Sequence, residues 1–544
     1  MLSTRIKVPI PEHGVITRHA GKRHYVYKVT RTFRNTKGQP TNTRVSIGRI
    51  DEETGLLIPN NTYWDYYPET QVEYLPTENS IRSIGTSFLT KQVQEQLGVD
   101  QILNNVLGSK RANQVGAIVD YMVSRGNVMD HIESWCQDHT WAQTLVTGQQ
   151  ASNLFTTVTC EEKMGFFRAW VKTQPADSCF AYDVTSFSTY AKGIEDTEWG
   201  YNRDGEKLPQ INLGCYVNQN NQLPVFYVTY PGSITDVAHL ESMMAYNQDL
   251  GVKDTRFVLD RGFCSTKNIQ HMHANHLDVI IGTHLRHKAM REAVNQVREG
   301  IISIGYLVSP GVYARKTVGQ FYGVPCTVHV YYDPVRAELQ RRDLFRLVET
   351  AEEKLSKTLV LTGTEAKHYR AWFTIDRKAD GTFTFGRDYT KIDQAALNNG
   401  FFTVLTTTSL DSAEVLEVYR RKDIIEKAFD EVKNHVDMRR LRTHTTLTTD
   451  GKLFCGFIAL IVACRIQVVL GSMMREKAWS KQTVINELDK IRVVTTTDGT
   501  RLMNPVTKTQ RAILGAFGLT AEDLTKHVTT TEPNQPYMPK TQGI

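Results

Sequence analysis

Apolar and polar residues alternate along the middle of the chain in a pattern that predicts strands and helices in turn. Strands are predicted at Phe180–Val184, Gln210–Val217, Leu223–Tyr230, Arg256–Asp260 and Val279–Gly282. Ser233-Ile-Thr-Asp236 resembles a capping box, so a helix is expected over Val237–Leu250, with a second helix over residues 266–275. The resulting βββαβαβ order indicates an α/β domain that begins near residue 176.

This rhythm is interrupted by a segment with a different pattern, which we interpret as an inserted domain. Residues 290–398 mix two predicted strands, Thr327–Tyr332 and Thr382–Phe385, with a charged helical run, Ala337–Lys357. The rhythm resumes with a strand at Phe401–Thr407 and a long helix over about 412–435. The α/β domain is therefore predicted in two parts, 176–289 and 399–475, on either side of a β-rich insertion.

The regions outside this domain have patterns of their own. Residues 1–80 read as short strands, and residues 81–175 as helices that serve DNA binding or dimerisation. Residues 476–544 read as a helical region with a Thr/Pro/Gln-rich tail, which is expected to be disordered after about residue 525. Leu453–Leu470 is the most apolar stretch, but its uninterrupted apolar part is too short to span a bilayer, so we interpret it as a buried core helix.

The N-terminus and the cysteines bear on the compartment. No apolar segment typical of a signal peptide follows Met1, and none of the eight cysteines belongs to a CxxC pair. We therefore expect a reducing, cytoplasmic setting, with neither a disulfide framework nor a zinc module.

Positive charge is concentrated at the start of the chain. The first fifty residues hold eleven Lys and Arg and one acid, a net charge of +10, whereas the whole chain carries +6. This imbalance predicts a polyanion partner for region 1–80, with Lys22, Arg23 and Arg31 as candidate DNA-binding residues. A solvated, positively charged face is the alternative.

Two aspartates occupy positions at which a carboxylate suggests chemistry. Asp183 lies within the apolar strand Phe-Ala-Tyr-Asp-Val, and Asp260 ends the strand Phe-Val-Leu-Asp. A carboxylate in an apolar run is costly to bury without a partner, and two carboxylates on adjacent strands repel each other, so a divalent cation would stabilise them. The alternative is that each acid caps a turn or a helix.

The predicted helix over 412–435 carries a third acid on a polar face. Tyr419, Lys422, Glu426 and Lys433 fall within an arc of about 60° at ~100° per residue, while the apolar residues form a separate stripe. A solvated helix would also show Glu and Lys, so Glu426 alone carries little information.

The spacing Tyr419-x2-Lys422-x3-Glu426-x6-Lys433 resembles the Y-(2)-R-(3)-E-(6)-K signature of IS4-like transposases. Four further segments look like the same family, and they fit best the IS1634-type branch from bacterial or archaeal insertion sequences: Tyr182–Phe187, Gly200–Asp204, Leu208–Leu213 and Leu259–Phe263. Lys422 departs from the signature Arg, because lysine keeps the charge but lacks the planar bidentate fork.

The resemblance implies a DDE transposase with a ribonuclease-H-like core. Asp183, Asp260 and Glu426 would be the catalytic triad and the ligands of two Mg²⁺ ions, for which Mn²⁺ can substitute. Two such ions activate the attacking water or 3′-hydroxyl and stabilise the leaving oxygen, with no covalent protein–DNA intermediate. Tyr419, Lys422 and Lys433 would contact the backbone of the transposon ends, with a covalent recombinase role for Tyr419 as the alternative. The implied partner is double-stranded DNA, both transposon ends and target, held by a homodimer in the synaptic complex.

Two weaker sets of residues complete the candidate DNA interface. Arg261 follows Asp260 directly, and Arg439, Arg440 and Arg442 follow the long helix, where they would bind phosphates or form a solvated basic turn. Trp372, within the insertion, would stack on a flipped base or serve as a core aromatic residue.

Three functions are compatible with these features. The first is an intact transposase that binds terminal inverted repeats, cleaves the ends and transfers them to target DNA. The second is a ribonuclease-H-like DNA nuclease without strand transfer. The third is a transposase-derived DNA-binding protein without catalysis, which the presence of all three acids disfavours.

Overall fold

The computed structural model describes residues 7–21, 23–34, 37–52, 54–67, 80–141, 144–175, 178–200, 205–252, 255–496 and 500–531. The chain divides into two compact units, Met1–Leu154 with Val469–Ile544, and Phe155–Val468.

The elements up to residue 157 are β1 Val15–Ala20, β2 Arg23–Arg34, β3 Pro40–Ile50, β4 Leu57–Pro59, α1 Asn61–Tyr66, β5 Ser80–Ser83, α2 Gly85–Gln96, α3 Val99–Leu107, α4 Ser109–Arg125, α5 Ile132–His139 and α6 Gly148–Thr157. They are followed by α7 Cys160–Lys172, β6 Cys179–Ser188, β7 Gln210–Asn218, β8 Pro224–Pro231, α8 Asp236–Leu250, β9 Arg256–Leu259, α9 Thr266–Ala274, β10 Asp278–Thr283 and α10 Lys288–Arg298. Next come β11 Leu307–Ser309, β12 Val312–Phe321, β13 Val324–Tyr332, α11 Pro334–Lys357, α12 Gly363–Tyr369, β14 Phe373–Arg377, β15 Phe383–Arg387, α13 Tyr389–Ala396 and β16 Phe401–Thr406. The last are α14 Ser412–Arg420, α15 Asp423–Asp430, α16 Thr446–Glu476, α17 Lys481–Leu488, β17 Arg492–Thr495, β18 Arg501–Met503, α18 Lys508–Gly515 and α19 Ala521–Thr530.

The first unit contains two antiparallel sheets and a group of helices. Strands β1 to β4 pair in sequence order around a small apolar core that includes Val26, Ile47 and Leu57. β5 pairs instead with β17, which also pairs with β18. Helices α2 to α5 follow in the region predicted to be helical, 81–175.

The C-terminal tail begins later than its composition predicts. α19 continues to Thr530, because Thr520 and Asp523 form a capping box that satisfies the first backbone N–H groups of this helix. Disorder from about residue 525 is therefore wrong for residues 525–530, and the rest of the predicted tail, from residue 532, lies outside the described residues.

Nine strands form one sheet in the second unit, in the order β11-β12-β13-β16-β10-β9-β6-β7-β8. β6, β7 and β8 form an antiparallel meander, while β9 and β10 continue on the other side of β6 and run parallel to it. Helix α8 connects β8 to β9, and α9 connects β9 to β10. Five strands thus have the order of a ribonuclease-H-like core, which confirms the α/β fold expected from the sequence.

The predicted insertion at 290–398 is only partly a separate body. β12 and β13 join the main sheet, because β13 pairs with β16, and β16 pairs with β10. A separate small core forms only from α11 to α13 and includes Val348, Leu355 and Phe373. Apolar alternation in a strand does not specify which sheet it joins, and the main sheet continues past the predicted boundary at 290 through β11, β12 and β13.

α16 is the long apolar helix that the sequence predicted as a core element. Its Phe454 and Phe457 rings pack against Phe166 and Phe167 of α7, and Phe457 also contacts Tyr227 of β8 at 5.0 Å between ring centroids. By length and composition α16 could cross a membrane, and 78% of its apolar window is buried inside the structure.

Candidate active site

Two of the predicted acids are neighbours on adjacent strands. β6 and β9 are parallel and in register from Cys179 opposite Arg256 to Tyr182 opposite Leu259. Asp183 and Asp260 are the next residue of each strand, so their Cα atoms are about 5 Å apart and their side chains start on the same face. The pairing of β6 with β9 therefore brings Asp183 and Asp260 together.

Glu426 reaches the same place from a helix. α15 packs against β6 and β7, and its Glu426 carboxylate lies 3.6 Å from the Lys422 ammonium. The same ammonium lies 3.5 Å from Asp260 Oδ1 and 3.9 Å from Asp423 Oδ1. The Asp260 and Glu426 oxygens are thus separated by no more than the sum of two distances, about 7 Å. Lys422 contacts carboxylates, rather than presenting its charge to solvent.

Tyr419 is a second partner of Asp260. Its hydroxyl donates a hydrogen bond to Asp260 Oδ1 at 3.3 Å, and the ring packs on the core beneath the sheet. Burial, and then the charge of Asp260, raise the pKa of this phenol above its usual value. The hydroxyl is therefore protonated, and it donates this proton in a hydrogen bond to the Asp260 carboxylate.

Gly282 on β10 makes room for Tyr419. A Cβ atom at this position would overlap the Tyr419 hydroxyl and lie 2.9 Å from its Cζ and 3.2 Å from the Arg261 backbone nitrogen. Real Cβ atoms essentially never approach other heavy atoms within 3 Å. The absence of a side chain at 282 is thus what allows Tyr419 to reach Asp260.

The donor set at this site suits a hard divalent cation. Three carboxylates offer oxygen ligands, and one cation, the Lys422 ammonium, already lies between two of them. Among the residues that the structure describes, no three His, Cys, Asp or Glu side chains stand close enough to hold an ion together. Glu426 is 63% exposed, and its carboxylate shares the Lys422 ammonium with Asp260. The oxygen donors of the three residues fit such an ion by their chemistry.

The long helix predicted over 412–435 is present as two α-helices, α14 and α15, followed by a π-helical turn. A tighter turn separates α14 from α15, where Ile425 N bonds Lys422 O, and Glu431–His435 forms a π-helical turn closed by Val436 N to Glu431 O. A π turn changes the angular spacing of the side chains from about 100° per residue. Lys433 lies within this turn and is buried, with 8% exposure, and its contact with the DNA backbone stays a prediction.

The basic turn after this helix is largely paired with acids. Arg440 forms an ion pair with Glu206 and lies over the Tyr190 ring, and Arg442 pairs with Asp437. Arg439 is exposed and donates to the Asn434 side chain at 2.8 Å. Of the three arginines predicted to bind phosphate, only Arg439 presents its charge to solvent without a carboxylate partner among the described residues.

The remaining candidates lie on other elements or outside the described residues. Arg23 and Arg31 are exposed on β2 of the first unit, and Lys22 lies outside the described residues, as do residues 201–204 of the segment that resembles the family. Trp372 is half-buried and packs against the small core of α11 to α13. Its indole therefore serves that core, which is the alternative to base stacking.

Basic side chains at the end of β10 were missed by the sequence reading. His284 and Arg286 follow β10 directly, beside Asp260 and Arg261 at the end of β9. The signal was the run Thr283-His-Leu-Arg-His-Lys288 immediately after a buried strand. The role of Gly282 could not be predicted either, because a glycine in a strand does not indicate which side chain occupies the space beside it.

A family model described as a transposase DDE domain matches residues 174–462, more than half of the chain, and this range contains all three acids. The chain belongs to the DDE transposase family. The prediction of a DDE transposase is confirmed at that level, and with it a role in DNA transposition and recombination. DDE transposases use divalent metal ions, in keeping with the carboxylate donor set described above.

Other comparisons add little to this assignment. The chain is similar to the solved cryo-EM structure of a piggyBac transposase synaptic complex with hairpin DNA, at 8% identity and a TM-score of 0.37 over 83% of each chain. No curated protein matches the chain.

Proposed function

We propose that this DDE transposase binds the terminal inverted repeats of an IS4-like, IS1634-type insertion sequence, cleaves the ends and joins them to target DNA. One observation carries the proposal. Asp183 and Asp260 are adjacent on parallel strands, and Glu426 shares a single cation with Asp260. Asp183 and Asp260 are thus neighbours at one edge of the sheet, and Glu426 approaches Asp260 through the shared Lys422 ammonium.

The three acids would hold two Mg²⁺ ions, for which Mn²⁺ can substitute. When bound, these ions activate a water or 3′-hydroxyl and stabilise the leaving oxygen of an in-line phosphoryl transfer. Tyr419 orients the Asp260 carboxylate through its hydrogen bond. This engagement disfavours a nucleophilic role for Tyr419, because its hydroxyl is protonated and turned toward a carboxylate. Lys422 neutralises Asp260 and Glu426 before the reaction and becomes available to a DNA phosphate when it leaves them.

Other parts of the chain have roles that follow from this activity. The basic sheet of β1 to β4, with Arg23 and Arg31, would bind DNA through its phosphates. A homodimer would hold two transposon ends together in the synaptic complex. The protein would act in the prokaryotic cytoplasm at the nucleoid.

Purified protein and linear DNA that carries the inverted repeats flanking the gene test this proposal. We expect nicking at the repeat ends in Mg²⁺ but not in chelator, followed by joining to target DNA. Cutting without joining would favour the nuclease, and binding alone would favour a DNA-binding protein without catalysis.

Two matched variants on α15 separate the catalytic glutamate from general charge effects. Glu426→Gln should abolish cleavage and leave DNA binding intact. Asp430→Asn makes the same charge change one helical turn away, at an exposed residue whose carboxylate accepts from Asn434, and should cleave at the wild-type rate. Retained cleavage by Glu426→Gln would refute the assignment of this glutamate.

A further inference from the structure

The carboxyl ends of three parallel strands meet at the edge of the sheet where the acids lie. β9 and β10 are in register up to Leu259 opposite Ile281, so Asp260 is level with Gly282 and Arg261 with Thr283. Neighbouring strands are about 5 Å apart, which places the residues after β10 next to those after β9. His284 and Arg286 thus emerge beside Arg261, at the margin of the proposed catalytic site.

The two arginines at this margin are exposed and have no carboxylate partner. Arg261 and Arg286 make no ion pair within 4.0 Å to any acid in the described part of the chain, whereas Arg440 and Arg442 are paired with Glu206 and Asp437. An unpaired guanidinium keeps its full capacity for two charge-assisted hydrogen bonds to a phosphate. Arg261 and Arg286, after the ends of β9 and β10, therefore offer positive charge to an anion at this edge.

The surroundings of His284 agree with this placement. Burial lowers the pKa of His284, and the positive charges of Arg286, Arg261 and His287 lower it further, whereas Asp260 opposes them. The ring is thus a neighbour of both arginines and of the proposed metal ligand, in agreement with the register of β9 and β10.

The segment that carries Arg286 is also held in place. Arg291 of α10 donates from Nη1 to the backbone carbonyl oxygens of Leu285 at 3.4 Å and Arg286 at 2.6 Å. A side chain on a fixed backbone loses less entropy when it binds a ligand than one on a loose loop. Arg286 is therefore preorganised rather than merely exposed.

We propose that Arg261 and Arg286, with the neighbouring His284, form a binding site for a backbone phosphate of the DNA strand that enters the active site. The inference rests on the proposed function, since it assigns a binding site to a phosphate adjacent to the one that reacts. Phosphodiester DNA fits because the cluster is cationic and open, and lies directly beside carboxylates that would otherwise repel the same strand.

Salt dependence of DNA binding tests the site without catalysis. A short labelled duplex is titrated in chelator at several salt concentrations, with wild type, Arg286→Ala, Arg261→Ala and Arg286→Lys. Each lost phosphate contact should lower the slope of log affinity against log salt by about 1 and weaken binding roughly fivefold to tenfold at low salt. Arg286→Lys keeps the charge and should retain most of the slope.

Lys288→Ala is the matched control. It removes the same charge two residues away, from a side chain that is 84% exposed and lies 3.7 Å from Glu292, so its slope and affinity should equal those of wild type. Thermal unfolding of each variant checks that the fold is intact.

The possible failures are distinguishable. If wild type binds duplex DNA and Arg286→Ala behaves like Lys288→Ala, the phosphate site is wrong and the transposase proposal stands. If wild type binds no DNA under any of these salt conditions, the proposed function fails and the phosphate site fails with it.

Discussion

Gly282→Ala adds a single methyl group, and it should reduce cleavage by displacing Tyr419 from Asp260. The Cβ atom of Gly282→Ala would overlap the Tyr419 hydroxyl and lie 2.9 Å from Cζ, so the ring must move away from Asp260. Overpacking of this kind costs about 1–3 kcal/mol of unfolding free energy. A displacement of about 1 Å at a catalytic group lowers rates by roughly 100-fold. We therefore expect moderate destabilisation with a disproportionate loss of cleavage.

Tyr419→Phe makes this prediction specific. Alone, it removes the hydrogen bond to Asp260 and should cost about 1 kcal/mol. Combined with Gly282→Ala, it removes the atom that the new methyl group overlaps, so the double variant should be more stable than the sum of the two single effects predicts. We expect urea denaturation to show a favourable coupling energy of about 1 kcal/mol. The steric overlap is only partly removed, because the ring carbon Cζ would still lie 2.9 Å from the new methyl group.

A neighbouring glycine supplies the control. Gly262 is exposed, and a Cβ atom there would have no heavy atom within 4 Å, so Gly262→Ala should leave stability and cleavage near wild type. Additive effects of Gly282→Ala and Tyr419→Phe, within about 0.5 kcal/mol, would refute the argument that the glycine makes room for this hydroxyl.

Three further changes have defined outcomes. Lys422→Met removes the cation between Asp260 and Glu426, so thermal unfolding should show greater stabilisation by Mg²⁺ than wild type does, and an unchanged Mg²⁺ effect would contradict this. Lys433→Ala should cost about 3 kcal/mol in urea denaturation because this lysine is buried, with little effect on the DNA affinity of the folded fraction. Burial lowers the pKa of His329 from 6.5 to about 4, so the unfolded state binds more protons between these values. The free energy of unfolding should therefore fall as pH falls from about 6.5 to 4, and more gently in His329→Asn.

The sequence predicts well those features that depend on local pattern. β7 and β8 begin and end within one residue of their predicted bounds, and α16 contains the whole apolar run that predicted it. Asp183 and Asp260 could be found for the same reason, since each interrupts or ends an apolar strand. Glu426 needed the resemblance to a family signature, because a glutamate on a polar helix face is common.

Features that depend on distant contacts could not be predicted in this way. The helical arc of Tyr419, Lys422, Glu426 and Lys433 assumes ~100° per residue, and the π turn at Glu431–His435 breaks that assumption. Strand pairing between distant segments places β12 and β13 in the main sheet. The ion pair of Arg440 with Glu206 likewise joins residues that are far apart in the sequence.

These differences change which residues are expected to bind the DNA phosphates. The signature position 422 holds a lysine, whose compact ammonium fits between several carboxylates, whereas a planar guanidinium fork is suited to binding one carboxylate or phosphate in bidentate fashion. In this chain the charge of Lys422 is taken up by Asp260, Asp423 and Glu426. As long as Lys422 stays with these carboxylates, a strand approaching the acids must find its positive charge elsewhere, and we propose Arg261 and Arg286 for this role. A lysine at 422 and arginines after β9 and β10 that have no ion pair in the described part of the chain would then be two parts of one electrostatic arrangement.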